Sequence, residues 1–311
     1  MPGDKDELSR LVSERRNPRS MDIDLMSSAE IVACMTAEDH LVAKAVEAEQ
    51  AAIAKAVDRI VDAFHAGGRL IYIGAGTSGR LGVLDASECP PTFSVSPDMV
   101  VGIIAGGDRA LRHSVEAAED SAEQGAADLD NIGLTAKDAV VGIAVSGRTP
   151  YVIGALRHAK NVGAATISLA CNPDTMIASI ADIAIAPQVG PEVVTGSTRL
   201  KSGTAQKMVL NMLSTASMIR IGKTYGNLMV DVSISNHKLA KRAAGIIAEA
   251  TGCPPDDAQT WLERSGGSVK LAILMQITGD PRDVASAELS AANGVLREAI
   301  ARATRQDAAT P

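Results

Sequence analysis

Apolar positions recur at helical spacing through the first quarter of the chain and then change period. Leu41, Val42, Val46, Ile53, Val57, Ile60, Val61 and Phe64 mark one face of a long helix. Thr36-Ala37-Glu38-Asp39 supplies a Ser/Thr-x-x-Asp/Glu capping signal at its start, and Gly67-Gly68 end it. Residues 1–20 before it are polar and include Ser13-Glu14-Arg15-Arg16-Asn17-Pro18, which reads as an arm rather than a core element. Short β-rich runs follow at Leu70–Ile73, Val100–Ala105, Val140–Val145, Ala165–Ala170 and Ile183–Ala186. Helical stretches are predicted between and after them, near 80–88, 108–126, 150–161, 174–180 and 202–221. Strands apolar on both faces that alternate with helices predict an α/β fold, a parallel sheet covered on both sides. After Tyr225 the strand signals stop. Residues 236–300 read as short helices broken at Gly252-Cys253-Pro254-Pro255, Gly266-Gly267 and Gly279-Asp280-Pro281. The division expected is an arm over 1–35, an α/β domain over 36–230, a helical domain over 231–300 and a frayed tail over 301–311.

Composition removes several classes of function. The 311 residues carry 30 basic and 37 acidic side chains, a net charge of −7, and 46% are apolar. An acidic chain with one Trp, three Tyr and two Phe has neither the basic face nor the stacking platform of a nucleic-acid binder. No apolar run approaches the roughly 20 residues that span a bilayer, and the start MPGDKDELSR lacks the apolar segment of a secretory signal. Four scattered cysteines form no CxxC, and five histidines form no HExxH. A cytoplasmic, reduced, metal-free protein is the expectation, with no nucleic-acid or membrane partner.

Two loops carry the chemistry. Gly74-Ala75-Gly76-Thr77-Ser78-Gly79 joins a buried strand to a helix. Its glycines allow a tight turn and close approach of backbone to ligand, and the free N–H groups of the helix start attract an anion. The string also fits G-x-G-x-x-G, but a dinucleotide site needs an acid about 20 residues on. Here that acid is Asp108, 29 residues beyond Gly79. The hydroxyls of Thr77 and Ser78 suit a compact phosphate better, although a ligand-free tight turn leaves the same glycines. Ser146-Gly147-Arg148-Thr149-Pro150 forms a second loop of the kind, with proline suited to a first helical turn. Read alone it is an ordinary helix cap; two such loops in one sheet, without a Walker lysine, point to a phosphorylated small molecule.

Gly74–Arg80, Ser146–Pro150 and the region Pro191–Lys207 together resemble the sugar isomerase (SIS) domain, which binds phosphosugars. Longer strings resemble the N-acetylmuramic acid 6-phosphate etherase family. They are Gly76–Thr92 (GTSGRLGVLDASECPPT), Glu192–Lys207 (EVVTGSTRLKSGTAQK), Glu14-Arg-Arg-Asn17 and Asn227-Leu-Met-Val-Asp231. The likeness runs from about residue 11 to 300. It implies a three-layer αβα SIS domain with a parallel sheet, an N-terminal helical arm and a small C-terminal helical domain. It also implies a cofactor-free, homodimeric lyase whose subunits contribute to each other's sites. Such an enzyme removes D-lactate from C3 of N-acetylmuramic acid 6-phosphate in cell-wall sugar recycling. The same architecture serves phosphosugar sensors such as the glucokinase regulatory protein, although 311 residues are expected to leave no room for a second SIS domain.

The resemblance assigns Glu88 the part of general acid and Glu119 that of base. Glu88 also has a local argument: it is expected at the end of a short helix stopped by Pro90-Pro91, where the dipole and the apolar Val83 and Leu84 favour the protonated carboxyl. Over 1.5 Å per residue, Arg80 to Glu88 spans about 12 Å, which points Glu88 toward a partner subunit's pocket. Glu119 sits in an acidic run, Glu116, Glu119, Asp120 and Glu123, that reads as a solvated helix face. Only the resemblance selects it over Glu116. Gly76, Thr77, Ser78 and Gly79, then Ser146, Gly147, Arg148 and Thr149, are the phosphate candidates. Glu192, Ser197 and Lys201 are further substrate candidates, together with Thr195, Thr198 and Arg199 on the same loop, and His237 is a candidate for ring opening.

Overall fold

A computed structural model describes residues 11–232 and 237–307. The chain divides into two compact units: residues 1–87 with 97–215, and residues 88–96 with 216–311.

The first unit is built on five parallel strands, β1 (Leu70–Gly74), β2 (Val100–Ile104), β3 (Ala139–Ile143), β4 (Ala165–Leu169) and β5 (Ile183–Ile185), in the order β2-β1-β3-β4-β5. β1 and β3 are buried at every residue, as strands covered on both faces must be. Helices precede the sheet, α1 (Ser28–Glu47) and α2 (Gln50–His65), and helices alternate with its strands: α3 (Gly76–Phe93), α4 (Arg109–Arg112), α5 (Ala122–Asn131), α6 (Pro150–Val162), α7 (Met176–Ile180) and α8 (Lys201–Arg220). On one face Ile71, Ile73 and Val140 pack with Leu129 of α5 and with Tyr151, Val152, Ala155 and Leu156 of α6. On the other, Tyr72 donates its hydroxyl to Asp85 of α3 at 2.9 Å and to the Leu210 carbonyl of α8 at 3.4 Å. The sheet is therefore the middle of three layers.

The second unit is helical: α9 (His237–Thr251), α10 (Pro255–Arg264), α11 (Val269–Thr278), α12 (Arg282–Ala291) and α13 (Leu296–Asp307). Ile247, Leu262 and Ile273 lie at its core, and Trp261 packs against that core.

Five boundaries differ from the sequence reading, each for a local reason. The leading helix begins at Ser28, because Ser27 and Glu30 form a complete capping box that outcompetes Thr36, and it breaks between Glu47 and Gln50 into two. α3 runs through Pro90-Pro91 to Phe93, its last turn anchored by buried Cys89 and Phe93. The stretch 108–126 is not one helix: residues 113–121 form a loop with Ala117 in the left-handed region (φ +60°). A two-residue hairpin, β6 (Thr224–Tyr225) and β7 (Leu228–Met229), turns at Gly226-Asn227, so strands do not end at Tyr225. α13 continues beyond residue 300 because Ala299 and Ala303 are buried on one of its faces.

The residues read as an arm also behave differently. Leu11, Ser13, Asn17 and Ser20 are buried. Asn17 donates its side-chain amide to Glu38 at 2.8 Å and to the Pro191 carbonyl at 3.1 Å, and Ser20 donates to the Val193 carbonyl at 2.8 Å. Short polar side chains that look solvated in a string are here hydrogen-bonded to distant backbone. No helix among the described residues is long and apolar enough to cross a membrane.

Candidate active site

The chain leaves β1 toward β2 on one side and reaches β3 on the other, so the connections at the carboxyl ends of β1 and β3 part in opposite directions. Such a switch point is where open α/β sheets bind ligands. A cleft of about 360 Å³ opens there, within the size range of small-molecule sites. Ala75, Gly76, Thr77 and Ser78 after β1 form one wall, and Ala144, Val145, Ser146 and Thr149 after β3 form another. Glu14, Glu119 and Thr198 close it.

The two loops bring two helix N-termini, those of α3 and α6, to the same cleft. Their first-turn N–H groups have no partners within the helix, and the aligned peptide dipoles make both ends electropositive. Gly76 takes φ +54°, which sharpens the turn into α3. Gly79 is not a lining residue. A Cβ there would lie 2.6 Å from the Gly74 carbonyl oxygen, so Gly79 lets the helix seat on the strand. Gly147 (φ +67°) has the same kind of task, since a Cβ would strike Thr175. Ser78 donates to Gln206 at 2.9 Å, while Ser146 accepts the Arg148 N–H at 3.3 Å. Thr149 is the N-cap of α6, but its side chain bonds no helix N–H, which leaves the hydroxyl for the cleft. No lining residue among those described is Lys or Arg.

Of the acidic run 116–123, only Glu119 lines the cleft. It stands on the loop 113–121, not on a helix face, and its carbonyl accepts the Tyr151 N–H at 3.0 Å, tying the loop to the first turn of α6. Glu88 is exposed and belongs to the second compact unit; it is not among the lining residues. The proline stop expected just after it is absent, and Glu88 is exposed among the described residues. Arg148 and Ser197 are half-buried and stand outside the lining, whereas Thr198 is within it. His237 is the first residue of α9, and its side chain lies outside the described residues.

Glu192 and Lys201 depart most from expectation. Both are buried, at 0% and 1% exposure. Glu192 caps α8, accepting the Lys201 N–H at 3.0 Å and the Ser202 N–H and hydroxyl at 2.9 Å each. The Lys201 ammonium donates to Glu38 at 2.6 Å and to the Val189 carbonyl at 2.8 Å. Burial alone would raise the Glu38 carboxyl, but hydrogen bonds from Lys201 and Asn17 hold it below its ordinary range. These charges knit the loop 189–202 to α1 and to the N-terminal segment; they do not face the cleft. Cys171, behind them, is pushed up to about 12 by burial and is no nucleophile. Glu14 is the residue that motif reasoning passed over as a ligand, although it opens the Glu14-Arg-Arg-Asn17 string.

Comparison with known proteins gives three family matches. Residues 52–160 match the glucokinase regulatory protein N-terminal SIS domain, 115–216 the SIS domain, and 226–271 the C-terminal lid domain of glucokinase regulatory protein. Over nearly its whole length the chain is similar to proteins named N-acetylmuramic acid 6-phosphate etherase. The one from Brucella anthropi is 65% identical over 294 residues, 94% of this chain and 96% of that one. The one from Jannaschia sp. is 70% identical over 267 residues, 86% and 84% of the two chains. A relative from Vibrio cholerae, N-acetylmuramic acid 6-phosphate etherase 2, is 61% identical over 293 residues, 94% and 95%.

Proposed function

The chain belongs to the N-acetylmuramic acid 6-phosphate etherase family, and on that premise we propose that its cleft binds N-acetylmuramic acid 6-phosphate and releases D-lactate from C3. An ether oxygen leaves poorly, so the reaction needs an acidified neighbour. Opening of the sugar ring exposes the C1 aldehyde, which makes the C2 hydrogen removable. A base takes that proton, the electron pair forms the C2–C3 double bond, and the C3–O bond breaks as an acid protonates the departing lactate oxygen. Water then adds at C3 and a proton returns to C2, giving N-acetylglucosamine 6-phosphate. One carboxylate and one carboxylic acid suffice, with no metal or organic cofactor.

The observation that carries this reading is Glu119 in one crevice with the hydroxyls of Thr77, Ser78, Ser146 and Thr149 and two helix N-termini. The helix ends hold the phosphate, which fixes the sugar and lowers the entropic cost of reaching the transition state. Glu119 is the base. Glu88, which is exposed and not among the lining residues of the cleft, is the acid delivered to the cleft of a second copy in a homodimer. The working compartment is the cytoplasm.

The test is D-lactate release in D₂O by wild type, Glu119→Ala and Glu88→Ala. Wild type is expected to release lactate and to carry deuterium at C2 of the product. Each variant should be slower by roughly 10²–10⁴-fold, the usual worth of a positioned proton-transfer group. A folded wild type that binds the sugar phosphate but releases nothing is instead a sensor, the behaviour expected of regulatory proteins built from the same domains.

A further inference from the structure

From the clamped N-terminal segment we infer that Glu14 accepts a hydrogen bond from the sugar portion of the ligand and so sets which end of a sugar phosphate enters the cleft first. The inference deepens the reading above and rests on it. Ser13, Asn17 and Ser20 are all nearly inaccessible and fix the segment at three points, through Asn172, through Glu38 with Pro191, and through Val193. Between these anchors Glu14 is the one residue that lines the cleft.

Its carboxylate is held as well. The Asn172 amide donates to the Val145 carbonyl at 2.9 Å and to the Ser13 hydroxyl at 3.0 Å, and that hydroxyl donates to Glu14 Oε1 at 3.4 Å. A chain of hydrogen bonds thus connects Glu14 to the loop after β3. With no Lys or Arg in the lining among the described residues, this carboxylate has no ion pair to make there. It accepts hydrogen bonds and donates none, so the groups that suit it are sugar hydroxyls or an acetamido N–H. Like charge keeps phosphate away from it, leaving phosphate to the helix N-termini. On this inference the helix N-termini take the phosphate and Glu14 reads the donor groups of the sugar.

Calorimetric titration of the whole protein with N-acetylglucosamine 6-phosphate, glucose 6-phosphate and inorganic phosphate tests this. Glu14→Ala is expected to weaken N-acetylglucosamine 6-phosphate by about 10–100-fold, the scale of a hydrogen bond to a charged group, and to leave inorganic phosphate unchanged or tighter. Glu14→Gln, which keeps an acceptor oxygen of the same reach, should fall between the two. A loss shared by glucose 6-phosphate assigns the contact to a hydroxyl; a loss confined to the acetamido sugar assigns it to the N–H. Equal weakening of sugar phosphate and inorganic phosphate shows that Glu14 merely props its loop and overturns the inference, as does unchanged sugar phosphate binding. A wild type that binds no sugar phosphate overturns it together with the cleft. If wild type binds but releases no lactate, the reaction fails and the Glu14 comparison still decides this point.

Discussion

Lys201 and Glu192 sit where water does not reach, and that decides what they do. In sequence they stand on a hydroxyl-rich loop beside a phosphate motif, where charged side chains read as ligands. Folding spends them instead on Glu38 and on the first turn of α8, pairings across 163 and about nine positions that no local pattern announces. Removing one partner of a buried pair strands the other, at a cost of about 3–5 kcal/mol. Lys201→Met is therefore expected to lower unfolding free energy in urea by about that amount. A variant as stable as wild type would mean that Asn17 and Arg19 alone satisfy Glu38. Glu119 carries the opposite lesson. Its acidic neighbours suggest a solvated helix, yet the left-handed Ala117 and the bond from Tyr151 to its carbonyl make a loop that turns it into the cleft. The two strand-to-helix turns of the cleft were themselves legible as turns, because glycine, hydroxyl and proline have positional meanings that do not depend on distant residues.

At the scale of elements, close approach between helices rests on residues without side chains. A Cβ on Gly125 of α5 would strike the Tyr151 carbonyl, and one on Gly154 of α6 would strike the Ala122 carbonyl, so the two backbones meet at reciprocal glycines. Gly154→Ala has nowhere to put its methyl group. Overpacking of this kind typically costs about 1–3 kcal/mol, which should appear as a lower urea midpoint with near-normal secondary structure by circular dichroism. An unshifted midpoint would show that α5 slides aside freely. The type of the five sheet strands and of most helices was readable from period and breakers, but the loop 113–121 and the hairpin 224–229 were not, and element ends were less so. Thr36 and Ser27 both offer capping chemistry, and only the completed Ser27–Glu30 box shows which one is used. Pro90-Pro91 would ordinarily stop α3; buried Cys89 and Phe93 outweigh the lost N–H bonds.

For the whole molecule, acid is the expected weak point. Glu38 and Asp138 are buried carboxylates whose burial alone would raise them, but their partners hold both below their ordinary values. For Asp138 those partners are the Arg69 guanidinium and the backbone N–H groups of Thr135 and Arg69, which join the starts of β1 and β3. A carboxyl depressed in the folded state contributes its stability in full above the unfolded value and loses it as pH falls through the folded one. Urea midpoints should thus be flat from neutrality down to about pH 5 and fall below about pH 4.5. Midpoints unchanged to about pH 3 would show that these pairs contribute nothing. That the sheet is parallel and enclosed was legible in strands apolar on both faces. Its strand order was not, because the order is set by pairings between residues far apart in sequence, and the crevice exists only once that order is formed.

The clamped N-terminal segment also has a history in time. Its partners at Asn172 and Val193 follow it by 159 and 173 positions. At about 5–20 residues per second, a ribosome releases Ser13 and Glu14 roughly 8–36 s before it has made the surfaces that hold them. The first described residues to be synthesised are thus among the last to find their place, and the cleft is completed only after the loop 189–202 has emerged. A nascent chain halted before that loop would own both strand-to-helix turns of the cleft and still lack the Pro191 and Val193 carbonyls that hold the segment bearing Glu14.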